Sequence, residues 1–441
     1  MDQSSALKIM KQGNNVLLTG PAGSGKTYLL GKYIDYLKKN RVNYSVTATT
    51  GIAATHLNGI TIHSWSGIGI KEKLNRESLK NLKTKYYLKK NITKTKVLII
   101  DEISMLHPYQ LVMLDKICRM FKKSLRPFGG IQLILCGDFF QLPPIKKNAQ
   151  STKLIFESSA WKKLKVKYCY LNTQYRQTDP ELINILNKIR SQKIDNQIIQ
   201  KFLKLKNAIK TQSNLPTRLY THNLDVDSVN HRKLEKIQET TVSYTMYSQG
   251  NSTLIEILKR GCLAPEVLTL KKKAIVMFVK NDFEAGYVNG TLGKVIGFDK
   301  DNFPIVLTNS DKKITAFPKK WKLETNEDKE EQALIEQIPL RLAWAVTIHK
   351  SQGMTLDCAS IDLGKCFEYG MGYVALSRVK NLKGINLLGF NQTSLKVNPY
   401  LLKFEKLFQK KSRQEEKILK QTSKTKIKSN QQTFLNEILE P

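Results

Sequence analysis

Residues 17–30 read LLTGPAGSGKTYLL. Gly20 and Gly25 bracket four residues and are followed directly by Lys26 and Thr27. Val16–Thr19 has the pattern of a short buried strand. Behind the loop, Leu29, Leu30, Tyr33, Ile34 and Leu37 recur at helical spacing and give one apolar face. A glycine loop between strand and helix closes backbone N–H groups around phosphate oxygens, where the helix dipole favours an anion. It also constrains the fold, because the strand needs parallel neighbours and helices on both faces.

Two later segments repeat the design. KVLIIDEISML (96–106) is an apolar run ending in Asp101 and Glu102, and IQLILCGDFFQLPPI (131–145) ends in Gly137-Asp138 before a polar loop with Gln141. In parallel sheets, ligands sit at the carboxyl ends of strands. Lys26 therefore supplies a point charge for the β- and γ-phosphates, Thr27 and Asp101 are the expected Mg²⁺ ligands, and Glu102 is the expected general base toward water. The loop residues Gly20, Pro21, Ala22, Gly23, Ser24 and Gly25, with Tyr28 after them, are expected to line the nucleotide.

The chain has 72 Lys and Arg against 37 Asp and Glu, a formal charge of +35 over 441 residues. That excess suits a polyanionic partner, or it reflects the composition of a Lys- and Asn-rich chain. No run approaches the roughly 18 apolar residues of a membrane span, and the first residues carry no cleavable apolar core. The six cysteines (118, 136, 169, 262, 358 and 366) include no C-x-x-C pair, as expected for reduced thiols in a cytoplasmic or other reducing compartment.

The expected fold is α/β: two RecA-like parallel-sheet domains with small inserted subdomains. The first spans 1–165, with a basic insertion at about 66–96; residues 71–96 hold ten basic residues against two acidic. The second comprises 166–285 and 335–400. Between its parts, 286–334 alternates short β-type runs with Asn-Gly, Asp-Asn and Asn-Ser turns, the pattern of a small β-barrel. A basic tail, helical or flexible, occupies 401–441.

The segments TGPAGSGKT, TATTGIAATHLNGITIHSWSGIG, IIDEISML, RPFGGIQLILCGDFFQLPPI, YRQTDPELINILNKIR, LRLAWAVTIHKSQGMTLDCASIDL and GYVALSRVKNLKGINLLGF follow one another in order. Together they resemble the PIF family of DNA helicases, relatives of the RecD and Dda enzymes of superfamily 1. The resemblance runs from Gln3 to Phe390 and implies ATP-dependent unwinding with 5′→3′ movement on single-stranded DNA, at forks, by a working monomer. It implies that Gln3 reads the adenine and that Gln141 senses the γ-phosphate. It also implies that Arg176 and Arg378 reach across the cleft and that Gln352 and Gly353 line the nucleotide. Thr49, Thr50, His63, Ser64 and Trp65 would contact the strand in the first domain, and Thr347, His349 and Lys350 in the second. By residue type alone, Trp65 is equally a core candidate and His349 less often one, and RNA is as good a track as DNA. The same residue types leave open a single-strand-binding scaffold with weak ATPase. One departure stands out: in KKKAIVMFVKN the chain has Lys273 where the family commonly has glycine. The segment that splits the duplex lies either in 71–96 or in 289–323.

Overall fold

The computed structural model describes residues 1–55, 57, 59–69, 73–144, 153–207, 217–220, 226–282, 284–324, 331–349 and 351–439. The first domain is built on six parallel strands: β1 (Val16–Thr19), β2 (Tyr44–Ala48), β3 (Ile60–Thr61), β4 (Val97–Asp101), β5 (Gln132–Cys136) and β6 (Lys167–Tyr170). Their order is β3-β2-β4-β5-β1-β6. The order explains the sequence pattern, since β1, β4 and β5 are central and buried along their whole length. Their carboxyl ends bring the phosphate loop, the Asp101-Glu102 pair and Asp138 to one rim of the sheet.

The 71–96 stretch forms no strand among its described residues. Helices Arg76–Lys83 and Tyr86–Lys94 dock Leu82, Leu88 and Ile92 into the first-domain core. The second domain has a four-stranded parallel sheet in the order Ala345–Thr347, Thr217–Tyr220, Ala359–Leu363, Ile385–Phe390.

The antiparallel region is wider than the 286–334 expected. Strands Lys313–Thr315, Pro304–Thr308 and Leu292–Phe298 continue onto Ile275–Phe278 and then Leu340–Leu342, giving a five-stranded sheet that reaches outside those bounds on both sides. Two smaller sheets join it, Thr241–Thr245 with Val267–Lys271, and Tyr247–Gly250 with Glu331–Gln337 and Lys319–Glu324. Local turn signals mark hairpins but cannot reveal these long-range pairings. Lys273 sits at the turn into Ile275–Phe278 with φ +74°. That left-handed backbone suits glycine, which accounts for the family's preference at this position. Its ammonium pairs with Glu239 at 2.8 Å.

The tail is ordered structure. Helix Leu401–Gln421 packs along β6, with Phe404 and Phe408 against Phe156, and Phe408 stacked on Tyr168. The Tyr170 N–H donates to Ser412 Oγ at 2.9 Å, which occupies part of the exposed sheet edge. The second tail helix, Lys424–Leu439, adds Phe434 and Leu435 to the core around the first helix of the chain, Gln3–Met10.

Candidate ATP site and strand track

Three glycines of the phosphate loop have positive φ, and two leave no room for a side chain. A Cβ on Gly20 would lie 2.4 Å from the Leu171 carbonyl oxygen, and one on Gly23 2.7 Å from Arg176 Cβ. Gly25, at φ +77°, caps helix Lys26–Lys39. Lys26 Nζ donates to the carbonyls of Gly20 (2.9 Å) and Pro21 (3.0 Å), so the ammonium lies inside the loop. Burial lowers its pKa, opposed by Asp138 and Glu102 nearby. Thr27 opens the helix, exposed beside it. Gln3 extends its amide from the first helix to the Ser24 and Gly25 carbonyls, each at 3.4 Å. Tyr28 and Tyr175 stand exposed near the same loop.

The acidic pair lies at the end of β4. Asp101 is buried and accepts the Glu102 N–H at 2.8 Å. Glu102 has left-handed backbone, φ +52°. Burial raises both carboxyls above their ordinary range; for Glu102 the Asp101 charge adds to the rise, with Arg378 and Lys26 opposing it. From the second domain, Gln352 Nε2 donates to Glu102 Oε2 at 2.9 Å. From the first, Thr49 Oγ1 donates to the Glu102 carbonyl at 3.0 Å. One glutamate is thus held by a residue from each motif group expected to carry strand or coupling contacts.

The two arginines converge on the same cleft. Arg378 is 1% exposed, donates to Val374 O at 3.0 Å and Ser377 Oγ at 2.9 Å, and reaches Gln141 Oε1 at 3.4 Å. Arg176 donates to the Ser377 carbonyl at 3.2 Å. Burial, then the charge of Arg378, pushes the Arg176 guanidinium down to about 9. The Arg378 charge acts on Arg176, and paired cations of this kind suit a site that stabilises a developing anion.

The strand-side residues differ in exposure. Trp65 is only 2% exposed and belongs to the first-domain core, so its ring offers no stacking face; that expectation is corrected. Trp65 lies one helical turn after Ile62 in the helix Ile62–Ser66 and packs in the same core cluster as Ile62 and Ile68. Thr347 is likewise buried at the end of its strand. Thr50 Oγ1 accepts the Ala53 N–H, and Ser64 shares a cap with Thr61. His63 Nε2 meets the Gln110 amide at 2.8 Å, and burial, then His107, lowers its pKa. Burial and the neighbouring His107 thus disfavour the charged form of the His63 ring. Gly353 has φ +82°, and His349 is half-buried. Lys350 lies outside the described residues.

Sequence reasoning missed a buried network behind the loop. The Tyr373 hydroxyl accepts the Ala22 N–H at 2.9 Å and donates to Asp138 Oδ2 at 3.2 Å. Asp138 receives both its short bonds from Arg190 NH1, at 2.7 and 2.8 Å. Arg190 also donates to both oxygens of Glu405 on the tail helix (3.1 and 3.2 Å), with its guanidinium 4.4 Å from the Phe140 ring centre. Tyr170 adds a hydroxyl bond to Glu405. Gln177 spans the same seam, donating to the carbonyls of Ser377 (2.8 Å) and Val379 (3.3 Å). Tyr373, Arg190 and Gln177 sit within the quoted motif segments, but only their distant partners reveal a role.

A family model described as PIF1-like helicase matches residues 2–211, and one described as DNA helicase Pif1, 2B domain, matches residues 253–298. ATP-dependent DNA helicase Pif1 of Psychrobacter sp. is 44% identical over 90% of this chain and 69% of its own length. ATP-dependent DNA helicase PIF1 of Xenopus laevis is 37% identical over 96% of this chain and 65% of its own length. The chain thus spans about two thirds of these relatives. The solved structure of Bacteroides sp Pif1 in complex with ADP-AlF4 superposes with a TM-score of 0.81 at 34% identity, covering 92% of this chain and 96% of that one. Matching sequence, fold and split site together place this chain in the PIF1-like helicase family of ATP-dependent DNA helicases.

Proposed function

We propose that this protein hydrolyses ATP between its two parallel-sheet domains and uses the cycle to move 5′→3′ along single-stranded DNA, opening duplex ahead of it as a monomer. The observation that carries the reading is Glu102, bonded by Thr49 from one domain and Gln352 from the other. A change at the nucleotide is thereby felt on both strand-side motifs, and domain opening breaks the Gln352 bond. A Bacteroides Pif1, 32% identical, has been solved bound to ssDNA, which favours DNA over RNA as the track.

In this reading Lys26 and the loop N–H groups hold the phosphates, Gln3 the adenine edge, and Gln141 reports on the γ-phosphate. Arg176 and Arg378 stabilise charge on the transferring group. Mg²⁺ fits the donors present. Among the described residues no cluster of three or more His, Cys, Asp or Glu could cage a metal. Thr27 and Asp101 offer hard oxygens beside a phosphate site, the sparse protein ligation this cation takes with nucleotides. When bound, it neutralises phosphate charge. Glu102 accepts the proton of the attacking water.

Unwinding of duplexes with a 5′ tail, a 3′ tail or none tests the polarity, alongside ATP hydrolysis with single-stranded DNA, RNA or no polymer. Opening of 5′-tailed duplexes and DNA-stimulated hydrolysis are expected. Unwinding only from 3′ tails overturns the polarity, and hydrolysis indifferent to DNA overturns the motor.

The raised Glu102 gives a pH dependence. A general base works only when ionised, so hydrolysis falls as pH drops through a value above the ordinary 4.5 of glutamate. Glu102→Gln is expected to remove that limb and roughly 10²–10⁴ of the rate. Single-turnover rates across pH read both. A wild-type profile flat down to about pH 5 argues against Glu102 as the base.

A further inference from the structure

The outward face of the tail helix carries an unusually regular row of charge. Lys403, Lys406, Lys410, Arg413, Lys417 and Lys420 are all exposed and recur at intervals of three and four residues. On an α-helix that spacing makes a single stripe, about 26 Å long at the standard rise. The three acidic residues of the same helix do not neutralise it evenly. Glu405 is turned inward onto Arg190, Glu415 pairs with Lys167 at 2.9 Å, and only Glu416 reaches the stripe, at Lys420 (3.0 Å). Lys406, Lys410, Arg413 and Lys417 form no ion pair among the described residues. Lys162, Lys163 and Lys165 are also exposed, in the segment whose Trp161 meets Phe156 under the tail helix.

Helix and sheet edge form one rigid platform, because Phe408 is 3% exposed and Ser412 1%. The stripe is thus fixed in shape. It also lies apart from the proposed strand track. The helix runs along β6, whereas Thr49, Thr50 and His63 follow β2 and β3 at the other side of the six-stranded order. Five strand spacings separate the two edges, roughly 24 Å.

We infer that this face is a second nucleic-acid contact, which grips the phosphate backbone of double-stranded DNA. A single strand is held by rows of stacking rings between cations. Along this stripe the exposed apolar side chains are Leu407 and Ile418, with one ring, Tyr400, at its start and already under Lys403 at 4.1 Å. Cations without rings suit phosphates alone, and a straight rigid row suits the stiff polymer. The choice of DNA rests on the proposed function; the surface itself does not.

The test compares blunt duplex with single strand of equal length, over a salt series. Wild-type protein is set beside Lys406→Gln/Lys410→Gln/Arg413→Gln/Lys417→Gln and the charge-keeping Lys406→Arg/Lys410→Arg/Lys417→Arg. The Gln variant is expected to lose about tenfold or more in duplex affinity at low salt, with the logarithmic salt slope shallower by roughly three to four. Single-strand affinity and strand-stimulated hydrolysis stay at wild-type level, and the Arg variant binds duplex as wild type does. An unchanged duplex slope overturns the inference, as do equal losses for strand and duplex. A photo-crosslinker at position 410 of the otherwise natural chain gives a reading independent of the quadruple variant. Capture of duplex supports the contact, and capture of single strand alone overturns it.

Discussion

Lys26→Ala removes ATP hydrolysis, by roughly 10²–10³-fold or more, while single-strand binding at low salt persists. The ammonium is the cation built into the phosphate loop, anchored on the Gly20 and Pro21 carbonyls at 2.9 and 3.0 Å. Those two bonds hold it inside the loop, where the proposed function puts the β- and γ-phosphates. Truncation leaves the helix N-terminus and its N–H groups, so nucleotide affinity falls less than turnover. The residues proposed to contact the strand lie on other loops, Thr49 and His63 in the first domain and His349 in the second, and Lys26 bonds to none of them. Steady-state hydrolysis and strand binding by fluorescence anisotropy separate the two effects. Retained hydrolysis would mean that another cation neutralises the transferring phosphoryl group.

Arg190→Met destabilises the folded protein by about 3–5 kcal/mol, because it strands the Asp138 carboxylate in the interior. Asp138 is fully buried, and Arg190 makes both of its shortest bonds, at 2.7 and 2.8 Å. Burial alone would raise the Asp138 pKa; the charge of Arg190, then that of Lys26, more than offsets this and holds it below its ordinary 3.8. A carboxyl lowered in the folded state stabilises it at all pH above the unfolded value. That contribution is lost as pH falls below about 3.8 toward the folded pKa. Urea denaturation of Arg190→Met, Asp138→Asn and the double variant checks the account. The double variant is expected to recover much of the loss, since replacing both members of a buried pair often costs little. Additive losses would show that Arg190 acts chiefly through Glu405. The network ends at the phosphate loop, because Tyr373 joins Asp138 to the Ala22 N–H. Residual folded Arg190→Met should therefore bind ATP more weakly than wild type.

Much of the site was legible as local chemistry. A glycine loop before a helix, and carboxylates at the ends of apolar strands, need only nearby residues to be recognised, and the structure puts Lys26, Asp101, Glu102 and Gln141 on one rim of the first sheet. The limits of local reasoning show at particular residues. Trp65 carries the ring a strand platform needs, yet its neighbours Ile62 and Ile68 draw it into the core, where 2% remains exposed. The antiparallel region spreads past 286–334 because Ile275–Phe278 pairs with Leu340–Leu342, some sixty residues further along the chain. Lys273 departs from glycine in sequence, and only its φ of +74° explains why glycine is usual.

The sequence by itself determined the phosphate loop, the parallel-sheet architecture and the excess of positive charge, because each is written in residues close together. The tertiary structure alone decided how those parts are joined. Glu102 meets Gln352 across 250 positions, Arg190 meets Asp138 and Glu405, and the tail helix turns Glu405 and Glu415 inward while Lys406, Lys410, Arg413 and Lys417 stay exposed. Such contacts link residues far apart in the chain, and burial settles which side chains are desolvated and must find partners. No window of sequence contains both ends of a bond of that kind.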